Sequence, residues 1–164
     1  MLSKQYLFDT NCFVIPGRYY LQDIFPSFWQ KLQQLIENHT VVVHETVLQE
    51  ILPYKDELAN WLENVPNYEP VKMNKKVLAK FIELSKWARS SEQNYTAQAI
   101  SYFESNDKAD AWICAQCAVS GYVLVTNEKS SNSPANVKIP NVCEAFGITY
   151  ISMFDFMREQ NFKF

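Results

Sequence analysis

Four acidic residues stand at the boundaries of predicted secondary-structure elements, where their side chains could act together. Asp9 directly follows the first apolar run of the chain, and Glu50 lies in the helical segment after the second run. Asp110 opens another helical segment, and Glu128 follows the third apolar run. If these runs are parallel strands, their carboxyl ends share one edge of a sheet, so the four carboxylates converge there. Such a cluster repels itself unless a hard cation neutralises it, which predicts a metal site.

Each of the four acids also has a purely structural interpretation. Asp9 could cap a helix or turn that begins near Asn11. Asp110 could cap its helix or complement the helix dipole. Glu50 could be a solvated helix residue, and Glu128 could be an ordinary loop residue. Because all four occur in order at the right element boundaries, the joint pattern favours a shared site.

The length and composition of the chain exclude several common classes of enzyme. With 164 residues, the chain is predicted to form one domain over residues 1–164. Its three glycines lie too far apart for a GxGxxG dinucleotide loop or a GxxxxGK phosphate loop. His39 and His44 are its only histidines, which excludes an HExxH zinc helix. The net charge of −3 means that a nucleic-acid partner would need a local basic patch or a bound cation.

The sequence also carries expectations about compartment and cysteine chemistry. No apolar run approaches the roughly 18 residues of a membrane span, and the N-terminus lacks the apolar stretch of a signal peptide. We therefore expect a cytoplasmic protein without membrane contact, in which the four cysteines are reduced. Cys114 and Cys117 form a CxxC that is interpreted as core packing, not as a zinc or redox site. His44 is interpreted as a structural or surface residue and not as a general base.

Short apolar runs alternate with helix-length segments along the chain. Residues 6–8, 40–43 and 122–125 are typical of strands buried on both faces of a parallel sheet, and residues 148–151 form a weaker fourth run. This alternation predicts an α/β fold, a three-layer sandwich with a short, mainly parallel central sheet flanked by helices. The polar stretch 127–136 is predicted to be a surface loop. Helices are predicted for residues 24–38, 45–52, 57–65, 72–90, 96–104, 108–120 and 153–159.

The segment 72–90 is amphipathic at helical spacing. Its apolar residues gather on one face, which predicts packing against the core. Its lysines fall on the opposite face, which indicates either an ordinary solvated surface or a surface that follows a phosphate backbone. The apolar face comprises Val77, Leu78, Phe81, Leu84 and Ala88, and the lysines are Lys72, Lys75, Lys76, Lys80 and Lys86.

Four short motifs resemble those of the PIN-domain ribonucleases, in the same order along the chain. YLFDTN at residues 6–11 resembles the opening strand of that family, and residues 43–51 are similar to its second motif, in which a strand and a Thr precede a helical Glu. DAWICAQCA at residues 110–118 resembles the third motif, an Asp that opens a helix of small residues. LVTNE at residues 124–128 is similar to the fourth motif, in which Thr-x-Asp follows a strand. The resemblance extends over about residues 5–155, nearly the whole chain.

This resemblance implies a PIN-like fold and a metal-dependent endoribonuclease that hydrolyses RNA with Mg²⁺ or Mn²⁺ as cofactor. It carries over an acidic quartet that binds the ions, namely Asp9, Glu50, Asp110 and Glu128. Within the quartet, Glu50 could bind a second ion or orient the attacking water. Asn11 and Thr126 are implied as supporting polar groups that orient the carboxylates or contact the scissile phosphate. Arg18 is a candidate phosphate ligand, although it could equally pair with a surface acid.

Within the family, the chain resembles bacterial VapC-like toxins and, more narrowly, a PIN-like subfamily with an Arg-Tyr-Tyr insertion, here residues 18–20. The resemblance implies the toxin of a toxin–antitoxin pair, so an antitoxin protein and a second copy of the chain are expected partners besides RNA. The chain departs from the pattern in having Glu128 where the family usually has Asp, and in an atypical insertion over residues 13–24. Asp107 lies close enough to Asp110 to compete for its role.

Two other functions are compatible with parts of the sequence. A haloacid-dehalogenase-like phosphohydrolase also places an Asp at the end of its first strand, but it requires Asp-x-Asp where this chain has Asp9-Thr10-Asn11. It also requires a lysine near a later strand end, where Lys129 is the one candidate. The second alternative is a non-catalytic PIN-like module that binds RNA or protein. The intact acidic quartet argues against it, because a decayed site would have lost an acid.

Overall fold

The computed structural model describes residues 3–164, in which a four-stranded sheet lies among helices. The strands are β1 (Tyr6–Phe8), β2 (Val41–Val42), β3 (Val123–Val125) and β4 (Tyr150–Ile151). They pair in the order β2-β1-β3-β4, and every pairing is parallel. The predicted α/β fold with a short parallel sheet flanked by helices is therefore confirmed. All four strands lie within the predicted apolar runs.

Nine α-helices and one short 3₁₀ helix occur in residues 3–164. All seven predicted helices are present, with ends that differ from the prediction by up to three residues. The helices are α1 (Asn11–Tyr19), α2 (Pro26–Glu37), α3 (Glu45–Ile51), the 3₁₀ helix (Leu52–Tyr54), α4 (Glu57–Glu63), α5 (Lys75–Arg89), α6 (Ala97–Phe103), α7 (Asp110–Ser120), α8 (Ile139–Phe146) and α9 (Met153–Glu159). None of the helices in this part of the chain is long and apolar enough to cross a membrane.

The two central strands determine where the functional edge of the sheet lies. β1 and β3 consist of apolar residues that are all buried, because helices cover both faces of the sheet. Their register pairs Tyr6 with Val123 and Phe8 with Val125, so the two strands end side by side. The residues that follow each strand therefore emerge next to each other at the carboxyl edge.

Two helices, α1 and α8, lie outside the predicted helical segments, and each contains a proline. α1 starts directly after β1 and forms the first part of the segment 13–24, which was interpreted as an insertion. It contains Pro16, which removes a backbone donor and usually argues against a helix. α8 has Pro140 in its first turn, where a missing N–H costs little, and it ends at Gly147 in the left-handed region with φ of 66°.

The amphipathic helix α5 packs on α7 through fewer apolar residues than the sequence indicated. Val77, Leu84 and Ala88 are buried, and the half-buried ring of Phe81 stacks on Trp112 with centroids 4.0 Å apart. The prediction that Leu78 belongs to this face was wrong, because its side chain is 48% exposed. One residue turns a helix by about 100°, which moves Leu78 off the line through Val77.

Candidate active site at the carboxyl edge of the sheet

Asp9 and Thr126 form the floor of the site, because β1 and β3 continue to pair beyond their last strand residues. The Asp9 backbone N–H donates to the Val125 carbonyl at 2.9 Å, which fixes the two segments side by side. The Thr126 hydroxyl then donates to Asp9 Oδ2 at 3.1 Å, and both side chains are buried. Thr126 therefore orients the Asp9 carboxylate, one of the two roles that the resemblance implied for it.

Glu50 connects three elements around the site. Its Oε2 accepts from the Thr10 hydroxyl at 2.5 Å, at the start of α1, and its Oε1 accepts from the Ala109 backbone N–H at 2.7 Å. Ala109 is the residue that precedes α7, so Glu50 binds the N-terminus of the helix that carries Asp110. The interpretation of Glu50 as a solvated helix residue is therefore wrong, since the side chain is half-buried and holds two partners.

Glu128 turns its carboxylate toward the segment after the polar loop. Its Oε2 accepts from the Ile139 backbone N–H at 2.9 Å, in the first turn of α8, and its Oε1 lies 4.0 Å from Lys138 Nζ. Its own backbone N–H donates to the Thr126 hydroxyl at 3.1 Å. Glu128 is thus more than an ordinary loop residue, because it joins the end of β3 to α8 beside Asp9.

Asp110 is the first residue of α7 and lies close to the other three acids. No hydrogen bond reaches its carboxylate from the described residues, so its charge lacks the donors that Glu50 and Glu128 have. Burial, and then the charges of Asp9, Glu128 and Glu50, raise the pKa of Asp110 from 3.8 to about 8. Lys138 acts in the opposite direction without offsetting these effects.

The pKa of Asp9 is raised for the same reasons, from 3.8 to about 6. Burial contributes most, followed by the charge of Glu128, while the hydrogen bond from Thr126 lowers the pKa. After burial, the charges of Glu128 and Glu50 raise the pKa of both Asp9 and Asp110, and the charge of Asp9 also raises that of Asp110, as expected of carboxylates brought near one another. The predicted convergence of the four acids at one sheet edge is supported by these mutual interactions and by the cavity that they share.

That cavity has a volume of about 730 Å³ and is lined by all four acids. Asn11 and Arg18, predicted to bind substrate, also line it, whereas Thr126 lies beneath Asp9 and does not. Asp107 is exposed and lines the cavity further out, where it accepts a hydrogen bond from Ser105. It therefore does not replace Asp110, which is the member of the pair whose pKa the other three acids raise.

The donor chemistry of the site fits a hard divalent cation, although no metal centre is preassembled. Carboxylate oxygens are the ligands that Mg²⁺ and Mn²⁺ prefer, and a cation would relieve the repulsion that raises the pKa of Asp9 and Asp110. Across residues 3–164, however, no three His, Cys, Asp or Glu side chains are grouped closely enough to hold a metal ion as they stand. Glu50 and Glu128 each direct one carboxylate oxygen to a backbone N–H group.

The Arg-Tyr-Tyr segment divides between the cavity and the core. Arg18 lies in the last turn of α1 and lines the cavity, and within the described part of the chain no acid lies within ion-pair distance of it. Tyr19 is exposed to solvent, at 71%. Tyr20 packs against Phe25 and Phe28, and its carbonyl accepts from the Trp29 indole at 2.5 Å. The segment therefore supplies one cation to the site and one aromatic anchor to the core.

The remaining residues of interest have structural positions. His44 is buried and caps α3, with Nδ1 accepting from the Thr46 backbone N–H at 3.2 Å, and burial lowers its pKa, so its structural interpretation is confirmed. Cys114 and Cys117 are buried as free thiols, as predicted. None of the five lysines on the predicted basic face of the segment 72–90 lines the cavity.

Sequence reasoning missed four residues that line the cavity or surround it. Lys108 precedes α7 and lines the cavity, as do the tyrosines Tyr54 and Tyr102. Thr10 lies within the first motif, and its hydroxyl donates to Glu50. The position of Lys108, two residues before Asp110, is a signal in the sequence that it lies near the site. For the two tyrosines the sequence carries none, because they come from segments without a recognisable motif.

Comparisons with other proteins yield one match. Neither the curated proteins nor the solved structures include a significant match to this chain. A family model described as a domain of unknown function, DUF4411, matches residues 6–164, which include every side chain of the site. The chain therefore belongs to the DUF4411 family.

Proposed function

We propose that this protein is a divalent-metal-dependent endoribonuclease that hydrolyses RNA phosphodiester bonds at the carboxyl edge of its sheet. The observation that supports this most directly is the convergence of Asp9, Glu50, Asp110 and Glu128 on one cavity, with the pKa of Asp9 and Asp110 raised by burial and by neighbouring members of the set. Carboxylates that are partly or fully buried and repel one another are costly to the fold, so their presence favours a role that a cation completes.

In this proposal, Asp9 and Asp110 are the residues that hold Mg²⁺ or Mn²⁺, because Asp110 receives no hydrogen bond from the described residues and Asp9 is the charge that raises the pKa of Asp110 most. Thr126 keeps Asp9 in the orientation that faces the cavity. Glu50 holds Asp110 in place through the N-terminus of α7, and Glu128 completes the acidic wall from β3. When bound, the cation supplies Lewis-acid chemistry, polarising the phosphate and making water a better nucleophile.

The polar and basic groups at the cavity provide for a negatively charged substrate. Arg18 can bind a phosphate through two N–H donors, and Lys108 adds a second positive charge on the same lining. These local charges matter because the chain as a whole carries a net charge of −3 and does not attract polyanions in bulk. Asn11 adds a side-chain amide that can donate to a phosphate oxygen.

The resemblance to VapC-like toxins extends the proposal to the biological role of the protein and its partners. We propose that the nuclease is the toxin of a toxin–antitoxin pair, with an antitoxin protein and a second copy of the chain as partners. A cytoplasmic location is consistent with four buried cysteines that are all free thiols.

The proposal is tested by RNA cleavage in the presence of Mn²⁺ or Mg²⁺. A 5′-labelled single-stranded RNA is incubated with the wild type and with the Asp9→Asn, Asp110→Asn and Glu50→Gln variants. We expect loss of at least 100-fold in rate for Asp9→Asn and Asp110→Asn, and no cleavage by the wild type in EDTA, by analogy with the loss of other essential catalytic groups. Asp23→Asn, at an exposed acid outside the cavity, is the matched control and retains activity.

The outcomes also separate the alternatives. Full activity in both Asp variants would end the proposal. Hydrolysis of a small phosphate monoester that depends on Asp9 but not on Glu50 would favour a phosphohydrolase. Metal-independent RNA binding without cleavage would favour a non-catalytic module.

A further inference from the structure

Two exposed tyrosines stand at the mouth of the acidic cavity. Tyr54 is 78% exposed and Tyr102 is 57% exposed, and both line the cavity that contains the four acids. Neither ring belongs to the hydrophobic core or packs against it. The fold therefore does not require aromatic side chains at these two positions.

Local structure holds both tyrosines in place. Tyr54 ends the 3₁₀ helix, and Lys55 follows in the left-handed region with φ of 50°, its N–H donating to the Leu52 carbonyl at 3.2 Å. The next residue, Asp56, caps α4 by accepting from the Ala59 N–H at 2.9 Å. The chain that follows Tyr54 is thus fixed by hydrogen bonds within two residues of this tyrosine.

Tyr102 is supported by a charge. It lies in the second-to-last position of α6, and Lys108 Nζ lies 5.1 Å from the centroid of its ring. An ammonium at that distance interacts favourably with the face of the ring. The pair therefore presents an aromatic surface and a positive charge together, beside the acids that would bind a metal ion.

We propose that Tyr54 and Tyr102 stack on nucleobases next to the phosphate that occupies the cavity, and that the site consequently acts on an unpaired stretch of RNA. This inference rests on the proposed nuclease function. Flat aromatic rings bind bases of any type through stacking, and Arg18 and Lys108 supply charge for the intervening phosphates. A base within a duplex already stacks on both of its faces and cannot offer one to a side chain. A peptide partner could also use exposed tyrosines, but it would not account for two cations beside an acidic floor.

Binding and cleavage are measured separately, so that the two proposals can fail independently. Fluorescence anisotropy reports the binding of a 5′-labelled hexauridylate to Asp110→Asn protein, which keeps both tyrosines and does not cleave under the proposed function. Tyr54→Leu and Tyr102→Leu are added to that background and, separately, to the wild type, in which KM and kcat for cleavage are measured. Tyr54→Phe and Tyr102→Phe keep the stacking face. Tyr19→Leu removes a tyrosine that is 71% exposed and lies outside the cavity.

We expect each Leu variant to weaken hexauridylate binding by roughly 5- to 150-fold and to raise KM with little change in kcat. The Phe variants and Tyr19→Leu should match their parent proteins. A hexamer with abasic positions should bind the parent and the Leu variants equally, and an RNA duplex should not distinguish them either.

Three results would overturn one or both proposals. If the wild type cleaves RNA and Tyr54→Leu and Tyr102→Leu behave like Tyr19→Leu, the stacking inference is wrong and the nuclease proposal stands. If hexauridylate binding depends on the tyrosines but the wild type does not cleave, the base-binding site stands and the nuclease proposal fails. If there is neither binding nor cleavage, both proposals are wrong.

Discussion

Replacing Asp110 by Asn should stabilise the metal-free protein, by an amount that grows as pH rises from about 4 to about 8. The folded protein raises the pKa of Asp110 from 3.8 to about 8, so the folded state binds this proton more tightly than the unfolded state does. The free energy of unfolding therefore decreases as pH rises from about 4 to about 8, and below that window the group costs nothing. Asn keeps the size and shape of the side chain and removes the charge.

The size of the effect follows from the same pKa. A pKa raised from 3.8 to about 8 corresponds to about 6 kcal/mol of lost stability above pH 8. Because the side chain is only partly buried, solvent screens the repulsion, and we expect about half of this value, about 3 kcal/mol. For a domain of this size, about 3 kcal/mol corresponds to a melting temperature about 6–12 °C higher for Asp110→Asn than for the wild type at pH 8.5. At pH 4.5 the two proteins should melt within a few degrees of each other.

The assay is thermal unfolding in EDTA across this pH range, followed by titration with Mg²⁺ and Mn²⁺. Asp23→Asn serves as the control for removing an exposed acid. A cation bound with a millimolar constant and present in tenfold excess stabilises the fold by about 1.4 kcal/mol, so the melting temperature of the wild type should rise by about 3–6 °C. Asp110→Asn should gain less. Parallel pH profiles for Asp110→Asn and the wild type, together with equal responses to metal, would refute the inference that the acids share a site.

Two further predictions concern the edges of the site. Glu128→Asp should destabilise the protein by about 1 kcal/mol in urea unfolding, because the shorter side chain no longer reaches the Ile139 N–H. The variant should nevertheless keep the metal-induced rise in melting temperature. An equal loss of stability in the exposed Glu92→Asp control would contradict the role of the Ile139 hydrogen bond. Lys108→Gln should reduce the slope of log affinity for RNA against log salt by about one, whereas Lys76→Gln, outside the cavity, should leave the slope unchanged. A reduced slope for Lys76→Gln with an unchanged slope for Lys108→Gln would place the RNA on α5 instead.

Much of this architecture could be predicted from local sequence. Buried parallel strands are continuous apolar runs, so β1 and β3 are visible without any tertiary information. The positions of Asp9 and Asp110 follow, since each stands directly at an element boundary, and parallel strands bring their carboxyl ends to one edge whatever the loops do. The order of the elements was therefore sufficient to predict both the fold class and the shared location of the acids.

The state of each acid depended on contacts between residues far apart in the chain. Glu50 meets the Ala109 N–H across 59 positions, and Thr126 meets Asp9 across 117, so no local pattern could show that these carboxylates already have partners. Tyr54 and Tyr102 come to the cavity only because the 3₁₀ helix and α6 end beside it. Periodicity and element boundaries are properties of neighbouring residues, whereas hydrogen-bond partners, burial and the pKa of an acid are properties of the space around it. That space exists only once the chain has folded.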